Sequence, residues 1–501
     1  MADVVVIGSG PNGLVAACVL AKAGLEVLVL EAKMEPGGGA RTAETTLPGF
    51  KHDVGAGFFP FGRHSPAFAE LDLEGLGVKW LHAPIDSAHP ARDGSCGVLA
   101  RDLARTVEHL GEDGPAWEKI ARWYESVADA LLPALLETFP PIRRGLTLGP
   151  ATIAKLATVA LSSGRGFAER TFRTDAARRM IPALALHTDV GPDDPLGAIV
   201  GFMLAVTGTH GGFQVPEGGA GMITRALIKR LRESGGHVHV GARVESVITE
   251  GSRAVAVRTS AGEEIRATRA VVADTAAPTL FLELCDQRTL PSTVIAAMHR
   301  FRRGFGTFKA DWALAAPVPW TAEAARQAAV VHTGESLDDL ARFTREVREG
   351  KLPTDPYLVI GQQSIFDPTR APRDKHTLYA YSRVPSDLAG GYGAAVREAF
   401  LDRVEQRIEE LAPGFRERIL ARVAFTPPDL ETMNENLLGG DLGGGTADIT
   451  NQLFLRPMFP YFRYRTPIRG LYLGSSYAHP GAGVHGMCGY NAAQAVLSDV
   501  G

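Results

Sequence analysis

Cysteine is scarce and scattered in this chain. The 501 residues hold four, Cys18, Cys96, Cys285 and Cys488, with no C-x-x-C pair among them. That spacing excludes a disulfide framework, a zinc site on paired cysteines and the redox dithiol of a disulfide reductase. No metal is expected, and a reducing, cytoplasmic setting fits. Long apolar runs are missing too. The most membrane-like stretch, residues 196–206, is much shorter than the roughly 18 apolar residues of a spanning helix. Nor is one sign of charge in excess: a formal net charge of −4 gives no reason to expect a nucleic-acid partner. A secretory leader is not expected, because strand-like sequence begins at residue 3. With 45% apolar and 22% charged residues, the composition is that of an ordinary globular protein, long enough for two or three domains.

What is present is concentrated at the N-terminus. Asp3-Val4-Val5-Val6-Ile7 is a short β-branched run suited to a buried parallel strand. It enters Gly8-Ser9-Gly10-Pro11-Asn12-Gly13, a G-x-G-x-x-G loop, followed by helix-forming residues 14–23 and a stop at Gly24. A second apolar strand, residues 25–30, ends at Glu31 and Ala32. In such a unit Gly8 permits the turn, Gly10 lets the backbone approach a pyrophosphate, and Gly13 lets helix and strand pack closely. The free N–H groups of the helix start attract phosphate, and an acid about twenty residues on accepts hydrogen bonds from a ribose. The unit predicts dinucleotide binding.

A second glycine-rich turn, Glu35-Pro36-Gly37-Gly38-Gly39-Ala40-Arg41-Thr42, comes next, and His52-Asp53-Val54-Gly55-Ala56-Gly57 follows it. This stretch resembles the extended FAD signature of the amine oxidase and phytoene desaturase superfamily. The C-terminal block agrees: Gly439-Gly440-Asp441-Leu442, Gln452-Leu453-Phe454, Arg456-Pro457, Tyr464-Arg465-Thr466-Pro467-Ile468 and His479-Pro480-Gly481 stand in the order seen in phytoene dehydrogenase-like flavoproteins. Gly474-Ser475-Ser476 stands where relatives often have Cys-Gly-Ala. The resemblance covers both ends and the middle strand block but neither the helical stretch nor the substrate half. It implies FAD as cofactor, with Gly38, Gly39, Ala40 and Arg41 against the pyrophosphate and a backbone contact from Val244 to the adenine. It adds Gly474 and the start of the last helix, Gly486 and Met487, to a set that already holds Gly8, Gly10, Pro11, Asn12, Gly13, Glu31 and Ala32. A helix N-terminus near the reduced flavin would stabilise its negative charge.

The fold expected is α/β: a Rossmann-like FAD-binding domain of the glutathione-reductase type, a mixed-sheet substrate domain and an α-helical insertion. Residues 1–66, 212–290 and 436–501 would form the discontinuous FAD domain, 67–211 the helical lid and 291–435 the substrate domain. Helices are expected near residues 115–132, 151–162 and 176–186 and over 394–411, a strand at 376–384, and separate strands at 264–266 and 270–274. Residues 147–163, with Lys155 their one charge, read as a core helix, the alternative being a helix that touches a membrane surface. The activity implied is that of a FAD-dependent oxidoreductase, a desaturase or dehydrogenase passing hydride from a polyene, isoprenoid or acyl-like substrate to flavin. Without a second nucleotide fingerprint, an external acceptor, oxygen or a quinone, is expected. The alternatives are an amine oxidase-type enzyme, with Tyr477 and Tyr490 in an aromatic cage, a reduced-flavin isomerase, and a non-catalytic FAD-binding partner protein. No acid–base pair stands out. His485, just ahead of the final helix, is the single catalytic candidate, set against a plain loop-anchoring role. Nothing in the sequence sets the oligomeric state.

Overall fold

The N-terminal run becomes a strand, Ala2–Ile7, because its valines are buried on both faces of a sheet. It pairs in parallel with Val27–Glu31 on one side, Val6 opposite Val29, and with Glu264–Ala273 on the other, Val6 opposite Val272. His237–Val240 extends the sheet beyond Val27–Glu31. Leu471–Leu473 returns from the far end of the chain to pair in parallel with Val271–Ala273. Helix Pro11–Lys22 covers one face, and the last helix, Met487–Val500, packs against it. The crossing is tight: a Cβ on Gly489 would lie 1.8 Å from the Asn12 carbonyl oxygen. This computed structural model describes residues 1–448 and 451–500.

The second sheet is mixed, in the order Ile419–Phe425, Gly306–Leu314, His376–Val384, Val359–Gly361, Ala328–His332, Ile85–Pro90 and Cys96–Leu99. Every residue of Gly306–Leu314 is buried, under helix Ala394–Leu411 on one side and the N-terminal domain on the other. A helical layer, with Gly114–Leu136, Met180–Ala185 and Ala198–Gly211 at its centre, closes over the end of this sheet.

Three expectations are corrected. Residues 264–266 and 270–274 are one strand, Glu264–Ala273, whose first part pairs antiparallel with Arg253–Thr259 and whose second joins the parallel sheet. The stretch 67–211 is not helical throughout, since Ile85–Pro90 and Cys96–Leu99 belong to the second sheet. Ile85–Pro90 hides from pattern reading because it has no polar face: Asp86, Ser87 and His89 are buried in hydrogen bonds. Asp86, for instance, accepts the Phe213 and Arg101 N–H groups, each at 2.8 Å. Helix Gly149–Ala160 is not a core helix: it buries only Thr152 and Val159, leaving Ile153 exposed and, just after it, Leu161.

Candidate functional site

A single cavity of about 1060 Å³ begins at the carboxyl ends of the first sheet and runs beneath the second sheet and the helical layer. Gly8, Gly10, Pro11, Asn12, Glu31, Ala32, Gly38, Gly39, Arg41 and Val244 all line it. Gly13, Ala40, Gly474, Gly486 and Met487 do not. Gly13 is packed behind the loop, where a Cβ would meet the Gly8 carbonyl oxygen at 2.3 Å, and Gly474 donates its N–H to the Ala273 carbonyl.

The glycine end is a shaped cradle. The Gly10 backbone caps helix Pro11–Lys22 without a side-chain bond, leaving the helix start open to the cavity. A Cβ on Gly10 would lie 2.5 Å from Asp274 Oδ2, and one on Gly55 would lie 2.6 Å from the Gly39 carbonyl oxygen. Asn12 Oδ1 and Thr275 Oγ1 are buried, belong to cavity-lining residues, and have no hydrogen-bond partner in the protein. Arg41 is held by bonds to the Gly38 and Met433 carbonyls. Glu31 is positioned from both sides: its Oε2 accepts the Ser9 N–H at 3.0 Å, and its Oε1 accepts the Lys33 N–H at 2.9 Å. Ser9 Oγ–H donates to Oε2 as well, at 2.5 Å. A carboxylate offers about four acceptor directions, so one remains, on Oε1, for a ribose hydroxyl. These residues fit a bound dinucleotide.

Asp274, at the end of its strand, accepts the Gly13 N–H at 2.9 Å. Burial pushes its carboxyl up to about 7; the Gly13 bond opposes that rise and the Glu31 carboxylate adds to it. The sequence shows an acid ending this strand but no sign that it belongs to the site.

The other end of the cavity is mainly apolar. Val190, Leu196, Ile199, Met203 and Leu204 come from the helical layer, and Val330 and Val359 from the second sheet. Tyr379 and Tyr381, on one face of strand His376–Val384, complete that wall. A Cβ on Gly57 would lie 2.7 Å from the Tyr379 hydroxyl, so the Gly55-Ala56-Gly57 segment and this strand meet directly. Charged pairs also border the cavity, among them Arg383 with Asp189 at 2.9 Å and Arg348 with Asp194 at 2.7 Å.

His485 lies outside this wall. Its Nδ1 accepts the Met487 N–H at 3.0 Å and its carbonyl accepts from Ser65 Oγ, which anchors the start of the last helix. The ring borders a separate 160 Å³ space, and burial holds it at about 4, hence neutral. Tyr477 and Tyr490 are also elsewhere, their hydroxyls bonded to the Asn436 carbonyl and to Glu70. Tyr379, Tyr381 and His187 carry no signal in the sequence: isolated aromatics in an apolar strand and one histidine after a helix are ordinary core residues. Among the described residues, no group of three or more His, Cys, Asp or Glu side chains is placed to hold a metal ion.

Comparison with known proteins gives concordant results. The family described as flavin containing amine oxidoreductase matches residues 12–497. The chain is 28% identical to pyridine nucleotide-disulfide oxidoreductase domain-containing protein 2 of Mus musculus, over 99% of this chain and 94% of that one. To the neurosporene-forming phytoene desaturase of Cereibacter sphaeroides it is 25% identical, covering 97% and 92%. It is 26% identical to the all-trans-zeta-carotene desaturase of Myxococcus xanthus, covering 96% and 90%. Among solved structures, an oxidoreductase from Methanosarcina mazei superposes with a TM-score of 0.65 at 17% identity, and a putrescine oxidase variant with 0.63 at 18%, each covering 99% of both chains.

Proposed function

The chain belongs to the flavin-containing amine oxidoreductase family, and on that premise we propose that it dehydrogenates a long, largely apolar substrate held across the cavity from the glycine loops. It is a FAD-dependent oxidoreductase. The observation that carries the finer reading is the two-ended cavity: a polar glycine cradle at one end and the aliphatic wall of Leu196, Ile199, Met203, Val330 and Val359 at the other. Its volume is at the top of the range for a single ligand site, which suits two occupants. FAD, when bound, supplies the acceptor for a hydride.

The chain's own residues do the rest. The uncapped helix start and the Gly8–Gly13 loop hold the pyrophosphate, and Glu31, oriented by Ser9 and Lys33, takes a ribose hydroxyl on its Oε1. Val244 borders the adenine end. The helical layer excludes water from the apolar end. With one glycine fingerprint in the chain, oxygen or a quinone takes the electrons.

The cavity also points outward in a way that suits a lipophilic substrate. Ala160 and Leu453 line it, while their neighbours Leu161, Phe454 and Leu455 are exposed. An edge-to-face contact of Phe139 with Phe454, ring centroids 4.8 Å apart, joins this rim to exposed Ile142 and Leu146. Exposed Arg143 and Arg144 flank it, so the rim has the make-up of a surface that rests on an anionic bilayer. No helix among the described residues is long and apolar enough to cross one.

The Tyr379–Tyr381 pair facing the cavity favours one second reading, oxidation of an apolar amine between aromatic rings. The test is anaerobic mixing of FAD-loaded protein with polyene, acyl and amine libraries, followed by oxygen or quinone. Bleaching by a polyene or acyl compound supports the proposal. Bleaching by amines alone moves the chain to the second reading, and a FAD-loaded protein that no compound bleaches refutes both.

A further inference from the structure

Behind the cavity wall runs a chain of buried polar side chains that the function proposed above does not use. Tyr381 and His187 line the cavity. The Tyr381 hydroxyl lies 3.1 Å from His187 Nδ1, His187 Nε2 lies 2.7 Å from His332 Nε2, and His332 Nδ1 lies 2.9 Å from Ser87 Oγ. Ser87 Oγ is also 2.9 Å from His89 Nε2. The His89 and His332 rings stack with centroids 4.7 Å apart. Arg383, two residues along the strand from Tyr381, pairs with Asp189 and bonds to the His187 carbonyl. That clamps the turn bearing His187 onto the strand bearing Tyr381.

Every link in this chain must choose a direction. The three imidazoles are neutral: burial holds His187 and His89 at about 3 and His332 well below the ordinary histidine value. A neutral imidazole has one N–H and one lone pair, so in the Nε2-to-Nε2 contact one ring donates and the other accepts. The choice then propagates to both ends. In one polarity Tyr381 donates to His187 and His332 to Ser87. Then either Ser87 donates to His89, which ends the chain with an N–H on Nδ1, or Ser87 accepts from both rings and its own buried O–H is left without an acceptor. This polarity strands a buried donor either way. In the other, His89 Nε2–H donates to Ser87, Ser87 to His332, His332 to His187, and His187 Nδ1–H to the Tyr381 oxygen. His89 Nδ1 is buried and has no hydrogen-bond partner. Proteins tolerate an orphaned buried donor less often than an under-used acceptor, which selects the second polarity. Tyr381 then accepts from behind, and its own O–H is left to point into the cavity. The neighbouring carboxylates do not compete for it, since Asp189 is paired with Arg383 and Asp194 with Arg348.

We propose that Tyr381 is the cavity's hydrogen-bond donor to substrate, aimed by the Ser87–His89–His332–His187 chain, so that the substrate is a long apolar molecule bearing one acceptor oxygen, a carbonyl or hydroxyl. This rests on the apolar-substrate reading above and narrows it. A site built to hydrogen-bond an oxygen rejects the analogue that lacks it, because the donor is then left unpaired in an apolar space. Ser87, His89, His332 and His187 are positioning residues; Tyr381 makes the contact.

Two measurements on FAD-loaded protein test this. Long-range proton–nitrogen spectra of ring-labelled histidines, assigned with His→Gln variants, should place the proton of His187 on Nδ1 and those of His332 and His89 on Nε2. The reverse set overturns the proposal. Titration with 2-pentadecanone and with 1-hexadecene, read by flavin absorbance, should show the ketone binding about tenfold more tightly. Tyr381→Phe and His187→Gln should abolish that preference, with the alkene bound no more weakly than by wild type, and Tyr379→Phe should retain it. Equal binding of the two probes to the wild type, or a preference that survives Tyr381→Phe, overturns the proposal. A protein that takes up FAD but binds neither probe defeats the apolar-substrate reading beneath it instead.

Discussion

Replacing Asp274 with asparagine isolates one of the two carboxyls, with Glu31, that are built into the cofactor cradle. Its side chain holds the Gly13 N–H and stands 2.5 Å from where a Cβ on Gly10 would be, so the glycine loop closes around it. Burial raises its folded-state pKa from 3.8 to about 7. A raised value means that the folded state binds the proton more tightly than the unfolded chain does. The resulting contribution to stability is fully present below about pH 4 and is lost as pH climbs through 7. Across that whole span it amounts to about 4 kcal/mol. Only about 1 kcal/mol of it falls between roughly pH 6 and 8, and the curve flattens above that. Asp189, also raised to about 7, and Asp86, raised to about 6, slope the same way. Wild type alone therefore does not isolate the group; the difference between wild type and Asp274→Asn does. Urea unfolding of both proteins, without and with FAD, should show wild type losing about 1 kcal/mol relative to the variant over that interval. FAD retention should weaken in parallel for wild type only, because a pyrophosphate beside an ionised Asp274 is repelled. Parallel stability curves, or a difference that grows in favour of wild type as pH rises, would refute the assignment of a protonated Asp274.

Gly489→Ala forces a methyl group onto the Asn12 carbonyl at the helix crossing; it should cost about 1–3 kcal/mol and lower the flavin-to-protein ratio on purification. Arg370 is buried and bonds Asp53 at 2.9 Å and Asp367 at 2.7 Å, so Arg370→Met, which strands two buried carboxylates, should lower stability by about 3–5 kcal/mol in urea unfolding. His485→Ala removes the acceptor of the Met487 N–H and should destabilise by about 1 kcal/mol, with the pH profile of turnover unchanged. Leu146→Asp with Leu161→Asp, both exposed on the cavity rim, should abolish co-sedimentation with phosphatidylglycerol vesicles while leaving the flavin spectrum as it was.

The cofactor end is legible in the sequence because its chemistry is local. Strand, loop, helix, strand and acid follow one another within residues 2–31, and each step carries a residue type that its geometry demands. The same holds for helix Ala394–Leu411 and strand His376–Val384, whose bounds coincide with those expected from pattern alone. Legibility falls where burial is two-sided. Ile85–Pro90 is buried at every residue, so neither alternation nor a helical stripe marks it. Helix Gly149–Ala160 departs in the opposite sense: its apolar composition predicts burial, yet much of its apolar surface faces outward.

The cavity's polar side chains are hidden for a different reason. Ser87, His187, His332 and Tyr381 come from four separate elements, and none has a neighbour in sequence that predicts its partner. What assembles them is the pairing of Ile85–Pro90 beside Ala328–His332, together with the Arg383 clamp on the turn at His187. A hydrogen-bonded chain of neutral groups has no compositional signature, since each member, met alone, is an ordinary buried residue satisfied by one neighbour. Its direction is set at the far end, where His89 Nδ1 has no partner, a property of the folded interior. Cofactor identity is therefore written locally at the N-terminus, whereas substrate selection depends on which strands become neighbours.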